Sequence, residues 1–322
     1  MDKKDLKIVF MGTPDFAATS LRALVEGGYN VVGVVTMPDK PAGRGHKLQA
    51  SPVKQYALEQ GLTLMQPEKL KDPGFISALR ALDADLQIVV AFRMLPEVVW
   101  SMPPRGTFNL HASLLPQYRG AAPINWAIIN GETKTGITTF FLKHEIDTGE
   151  IIDQVKTPIL DSDNFETVYD RLAALGAQLV TKTVDAIIDG SVRSVPQDDI
   201  AAGTELRPAP KIFKETCRID WTMPAKRIHD FVRGLSPLPA AWTELHEEGK
   251  DPVVVKVAQT AFEPAAHGLP CGTVVTDNKR HLKVAAADGY VELLTMQFPG
   301  KKRMKAEEVL CGHKFDTTTR FA

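Results

Sequence analysis

Cysteine is scarce in this 322-residue chain: Cys217, Cys271 and Cys311 are odd in number and widely spaced. A disulfide scaffold is excluded, as is a zinc or redox site built on a C-x-x-C pair, and a reducing, cytoplasmic compartment is expected. Long apolar runs are missing too. The longest, such as 88–92, fall far short of the roughly 20 residues that span a bilayer, and residues 1–10 carry charge without an apolar signal core. Neither a membrane partner nor a targeting segment is expected. Net charge is almost nil, with 38 Lys plus Arg against 39 Asp plus Glu. Strong, indiscriminate binding to a polyanion is thereby excluded. Glycine is thin where a dinucleotide site would need it. The turn Met11-Gly12-Thr13-Pro14-Asp15-Phe16 has one Gly where the nucleotide fingerprint needs three, which argues against a nicotinamide or flavin site. A phosphate contact at that helix N-terminus, or simply a tight turn, are the readings left.

What is present is a 44% hydrophobic chain long enough for two domains, each with its own core. The charge is unevenly spread: residues 207–322 hold 18 Lys plus Arg and 14 Asp plus Glu, leaving 20 against 25 before them. Up to about residue 160, short β-rich runs alternate with helical patterns. Strands are predicted at 6–11, 31–36, 62–66, 86–92, 107–112 and 136–142, an extended stretch at 150–158, and a long helix over 165–188. Pro14, Ser51-Pro52 and Asp72 mark helix starts. This pattern predicts an α/β fold with a Rossmann-like, mostly parallel sheet over residues 1–190. Residues 191–206 lack an apolar period and read as a linker. After a helix at 225–235, five β-rich runs at about ten-residue spacing (241–245, 253–262, 272–276, 281–286 and 290–296) predict an OB-like β-barrel over 207–322.

Chemistry concentrates in Phe108-Asn109-Leu110-His111-Ala112-Ser113-Leu114-Leu115-Pro116. Asn109 and His111 are two residues apart, so a strand turns both to one face and Leu110 to the other. An amide donor beside an imidazole can stabilise an oxyanion and move a proton, although the same pair could merely bond a neighbouring loop. Their place at a strand's carboxyl end, where open α/β sheets bind ligands, favours the chemical reading. Downstream, Lys143-His144-Glu145-Ile146-Asp147-Thr148-Gly149 is a polar loop whose Asp147 could orient and charge His111. An ordinary solvated turn is the alternative, and His144 reads as structural. The connection at 37–47 sets Lys40 and Arg44 among glycines in a loop longer than most, suited to phosphate contact or merely solvated. The basic run 301–305 has the same two readings.

Three motifs together, Asn109-x-His111-x-Ser113-Leu114-Leu115-Pro116, Arg119-Gly120-Ala121-Ala122-Pro123 and Asp147-Thr148-Gly149, resemble the core of the folate-dependent formyltransferases. The opening 12–17, the loop 39–45 and a second domain beginning near 207–212 extend the resemblance over essentially the whole chain. They narrow it to the branch that formylates methionine on initiator tRNA. The resemblance implies 10-formyltetrahydrofolate as formyl donor, no metal, and a monomer. It implies Asn109 and protonated His111 as oxyanion donors, and Asp147 as the group that keeps His111 charged and relays the proton. It places Ser113, Leu114, Leu115 and Pro116 at the folate pocket, Lys40 and Arg44 at the acceptor-stem end of the tRNA, and the barrel on the tRNA's inner side. Arg93 departs from the family, standing where many members carry Gly, and is expected to alter the rim of the folate pocket. The rivals are a transferase acting on a small amine, a hydrolase of the same folate, and a non-catalytic RNA-binding protein. The basic loop and second domain count against the first, and the polar trio against the last.

Overall fold

The computed structural model describes residues 2–42 and 47–322. The chain forms two compact units, one of Met1–Gly120, Thr135–Thr157 and Tyr169–Pro208, the other of Ala121–Lys134, Pro158–Val168 and Ala209–Ala322. Two pieces of the first 190 residues thus pack with the second unit. Ile129 and Trp126 explain the first of these, since both side chains join that unit's apolar core.

In chain order the elements begin β1 (Ile8–Gly12), α1 (Asp15–Glu26), β2 (Val31–Val35), β3 (Lys40–Ala42), β4 (Lys47–Gln49) and α2 (Pro52–Glu59). They continue with β5 (Leu64–Met65), α3 (Pro73–Ala81), β6 (Leu86–Val90), α4 (Glu97–Trp100), β7 (Thr107–His111) and α5 (Pro123–Ile129). Then come β8 (Lys134–Phe141), β9 (Ile151–Pro158), α6 (Phe165–Asp189) and α7 (Gln197–Ala201). The main sheet runs β5-β2-β1-β6-β7-β8-β9. Every pair from β5 to β7 is parallel, and β8 runs antiparallel to β7. All five residues of β1 and of β6 are buried, as expected of central parallel strands covered on both faces. Helix starts follow their capping residues. Ser51 Oγ accepts from the Lys54 N–H at 3.1 Å and Asp72 Oδ1 from the Phe75 N–H at 2.9 Å, each with Pro in the first turn.

Residues 194–197, inside the stretch that reads as a linker, are held within the first unit. Val195 and Ile151 exchange N–H···O bonds of 2.9 Å, and Gln197 at the start of α7 is 2% exposed. Backbone pairing and a buried amide do the holding, neither of which an apolar period announces.

The second unit adds α8 (Ala225–Gly234), β10 (Ala241–His246), β11 (Val253–Pro264), β12 (Val274–Thr276) and β13 (Leu282–Ala285). It ends with β14 (Gly289–Gln297), β15 (Met304–Lys305), α9 (Ala306–Gly312) and β16 (Arg320–Phe321). All five expected strands are present (β10 to β14), and with β16 they run in the order β12-β13-β14-β11-β10-β16, with β15 beside β14. An antiparallel bridge between Thr273 and Arg320, with the Phe321 N–H on the Gly272 carbonyl at 2.9 Å, nearly closes this sheet into an antiparallel barrel. Arg233 of α8 binds the inserted segment, its Nη1 donating to the Leu160 and Asp163 carbonyls at 2.9 Å while its Nε donates to buried Asp230.

On β7 the period-two alternation does what the sequence requires of it. Leu110 is 3% exposed and lies against Gly176 of α6, where an added Cβ would come 2.7 Å from its Cδ2. Asn109 and His111 face the other way, at the strand's carboxyl end. Leu110→Ala should therefore lose about 2–5 kcal/mol of unfolding free energy. Asn109→Ala, on the partly open face, should lose less than about 1 kcal/mol, which urea denaturation followed by circular dichroism would compare directly.

Candidate active site

The register of β7 sets the first two groups. Asn109 lies beside Val89 of β6 and Phe140 of β8, and His111 opposite Thr138. Among the described residues the half-buried Asn109 amide makes no hydrogen bond, so its N–H groups are available to a ligand. His111 is nearly enclosed, 7% exposed, with Nε2 2.9 Å from the Tyr118 carbonyl. A carbonyl oxygen can only accept, so Nε2 carries a proton and Nδ1 is the nitrogen left for chemistry. Nδ1 stands 3.9 Å from Asp147 Oδ2, close enough for charge to be felt and too far for a hydrogen bond.

Asp147 is held on all sides by the first unit. Its backbone adopts φ 55°, a left-handed conformation that Asp tolerates better than most residues. Its Oδ2 accepts from the Gly120 N–H at 3.0 Å, while Oδ1 accepts no hydrogen bond among the described residues. Gly120 itself sits at φ 127°, a conformation costly for any residue with a Cβ. Two residues beyond Asp147, Gly149 presses against β8 so closely that a Cβ would fall on the Phe141 carbonyl oxygen. Behind the loop, Gln197 Nε2 donates to the carbonyls of Asp147 and Gly149, both at 2.8 Å. Glu150 closes the loop's far side. The Ser194 hydroxyl and the Lys143 ammonium, at 2.5 and 3.2 Å, hold its carboxyl below the usual carboxylate range.

The segment 113–118 is wired to the neighbouring strands. Thr138 Oγ1, fully buried, donates to the Ser113 carbonyl at 2.7 Å and accepts from the Leu115 N–H at 3.2 Å. Gln154 Nε2 donates to the Leu115 carbonyl and to Thr138 Oγ1 at 2.8 and 2.9 Å. Of the four residues expected at a folate pocket, Ser113, Leu115 and Pro116 are buried. The Leu115 side chain sits in a core cluster with Phe140 and Ile151, and Leu114 packs on Gly136. Apolar burial has drawn Leu115 inward, whereas Leu114 stays partly exposed.

Lys40 is exposed on β3, which pairs with β4, whereas Arg44 lies outside the described residues. The base of this connection is anchored by Asp39, which accepts from Lys54 Nζ at 2.6 Å and from Gln66 Nε2 at 2.9 Å. Arg93 turns its guanidinium to the Pro67 and Glu68 carbonyls, so its charge tethers two loops of the sheet's carboxyl edge. Gln197, Thr138, the Gly120 N–H and the Tyr118 carbonyl were not singled out by sequence. Two are backbone groups, which carry no side-chain signal, and Gln197 lies in a stretch without period.

A family described as Formyl transferase matches residues 6–184, and one described as Formyl transferase, C-terminal domain, matches residues 211–314. The chain belongs to the formyl transferase family. Relatives of this formyl transferase include a Bacteroides fragilis protein named methionyl-tRNA formyltransferase, 67% identical over 97% of this chain and 96% of its own length. A protein of the same name from Parabacteroides distasonis is 63% identical over 98% of both chains. Among solved structures, an N-formyltransferase from Helicobacter canadensis, in complex with folinic acid and dTDP-3-aminofucose, has a TM-score of 0.62 at 20% identity. That match covers 89% of this chain and 98% of the other. HypX from Aquifex aeolicus, in complex with tetrahydrofolic acid, has a TM-score of 0.60 at 20% identity; 94% of this chain matches 46% of HypX, so this formyl transferase spans about half its length. These likenesses establish a shared fold.

Two substitutions test the site's construction. Thr138→Val leaves the Ser113 carbonyl and the Leu115 N–H short of a buried partner and should cost about 1–3 kcal/mol in urea unfolding. Gly149→Ala cannot be accommodated without moving the Asp147 loop off β8. It should cut formyl transfer at least about 100-fold while far-ultraviolet circular dichroism stays native.

Proposed function

We propose that this chain transfers the formyl group of 10-formyltetrahydrofolate to the α-amino group of methionine on initiator tRNA, in the cytoplasm. The observation that carries the reading is the meeting of an unengaged Asn109 amide, a His111 whose only unassigned nitrogen is Nδ1, and the Asp147 carboxylate, at one strand's carboxyl end. The acceptor is taken from the relatives named above, whose identity extends over both units. Three unpaired cysteines, two of them exposed, suit a reducing compartment.

The donor set fits a formyl oxygen and a passing proton. When an amine adds to a formyl carbon, negative charge develops on oxygen, and Asn109 Nδ2 is placed to donate to it. His111 donates through Nδ1, because its Nε2 proton is already committed to the Tyr118 carbonyl. Asp147 Oδ2 lies 3.9 Å from Nδ1, and its free Oδ1 accepts the proton that the amine must shed; as the tetrahedral adduct collapses, the bond from the formyl carbon to folate N10 breaks and that proton is relayed to N10, leaving tetrahydrofolate. Backbone groups of 113–116, held in place by Thr138 and Gln154, are the polar edge against which the folate ring would lie. Exposed Lys40, with Arg44, would meet the phosphates at the tRNA end, and the barrel would carry the remaining phosphate contacts.

The test is a comparative acceptor assay with 10-formyltetrahydrofolate and, in turn, methionyl-tRNA, a nucleotide sugar, or water alone. Transfer only to methionyl-tRNA is expected, and formate release without an amine would instead favour a hydrolase. Asn109→Ala should lower kcat/KM about 100- to 1,000-fold, and Asp147→Asn at least as much, both with native spectra. Arg44→Ala should raise KM for tRNA several-fold and leave KM for the folate unchanged, and the tRNA term should weaken as salt rises. Full activity of both site variants would overturn the catalytic assignment.

A further inference from the structure

We propose that Gln197 is a positioning residue for formyl transfer, acting through the Asp147 loop; this rests on the reading of Asp147 as a reacting group given above. A buried primary amide has two N–H groups and two acceptor positions, and here all four are used. Nε2 donates to the Asp147 and Gly149 carbonyls at 2.8 Å, and Oε1 accepts from Arg119 Nε and Nη2 at 3.0 and 2.7 Å. Gln197 is 2% exposed, so water does not substitute for any of these partners. The amide therefore spans the left-handed residue Asp147 and ties it to Arg119. The residue after Arg119 is Gly120, whose N–H grips Asp147 Oδ2. The result is a closed ring of contacts, Asp147 to Gln197 to Arg119 to Gly120 and back to Asp147, setting both the backbone and the carboxylate of the same residue.

The chemistry of the ring is selective. Arg119 docks on a neutral amide oxygen, so the ring orients Asp147 without pairing its carboxylate with a guanidinium. Of the common side chains near this size, Glu would keep the Arg119 contact and turn an oxygen toward two carbonyls. Met would fill the space and offer nothing to either side. Gln alone among these satisfies both ends.

The experiment uses the full chain with 10-formyltetrahydrofolate and methionyl-tRNA, and compares Gln197→Met, Gln197→Glu, Arg119→Lys, Asp147→Asn and the double variant Asp147→Asn with Gln197→Met. Melting temperatures and circular dichroism monitor folding. We expect kcat to fall about 10- to 100-fold in both Gln197 variants, with KM for each substrate within about threefold. In single-turnover measurements at enzyme excess, Gln197→Met should cost less than about twofold when Asp147 is already Asn, because both substitutions damage one element. Wild-type kcat in the folded Gln197 variants, or a multiplied loss in the double variant, would overturn the proposal. If Gln197→Met does not fold, Gln197→Glu and Arg119→Lys carry the test, with the same split between kcat and KM. Full activity of Asp147→Asn would overturn the site reading and this inference together, whereas an inactive Asp147→Asn beside a fully active Gln197→Met sinks only the inference.

Discussion

The hydrogen bond from His111 Nε2 to the Tyr118 carbonyl is the constraint on which the site depends. An imidazole offers two nitrogens, and fixing one fixes the role of the other. With Nε2 committed to the main chain, the ring cannot turn over, and Nδ1 is presented to Asp147. The bond also dictates the path of the chain. Residues 112–118 must double back within one short loop, which puts Tyr118 at φ 60° and carries Gly120 to where its N–H meets Asp147. Thr138 and Gln154 then secure the interior of that loop from β8 and β9.

A left-handed non-glycine residue costs of the order of 1–2 kcal/mol and persists only where surrounding contacts over-determine it. Asp147 meets that condition through the Gly120 N–H on its Oδ2 and the Gln197 amide on its carbonyl. Each such hydrogen bond adds only about 1 kcal/mol net, but leaving its buried partner unmade would cost more. The network is therefore stable as a whole and intolerant of partial loss. Donors held this rigidly need no reorganisation when charge develops beside them.

The legible parts of this protein are those written in side-chain patterns. Period-two alternation put Asn109 and His111 on one face of β7, and the five antiparallel strands of the barrel stood out because short turns keep their apolar alternation in step. Contacts made by main-chain atoms left no such trace. Nothing in the run 143–149 distinguishes Asp147 from its ionisable neighbours except the family motif, and the reversal of β8, the Tyr118 acceptor and the barrel's closure at Gly272 are all backbone events. Leu115 belongs to the segment that the family resemblance places at the folate pocket. Its burial with Phe140 and Ile151 follows from packing that a linear motif does not encode. Residues 194–197 fall in the 191–206 stretch that reads as linker for the same reason, since an amide that satisfies four partners looks in sequence like any polar residue in a loop.

Arg93 shows how an apparent conflict between a motif and its charge is resolved by geometry. A guanidinium standing where many family members carry Gly would be expected to turn its charge toward whatever lies beside that position. Instead its Nη atoms are taken up by the carbonyls of Pro67 and Glu68, and burial lowers the pKa of the group. Arg119 is handled in a parallel way, with Gln197 Oε1 as its acceptor. Both of these guanidinium groups are thus absorbed by neutral oxygens. The Asp147 carboxylate is thus paired with neither guanidinium, and the side chain that faces it is His111, through Nδ1 at 3.9 Å.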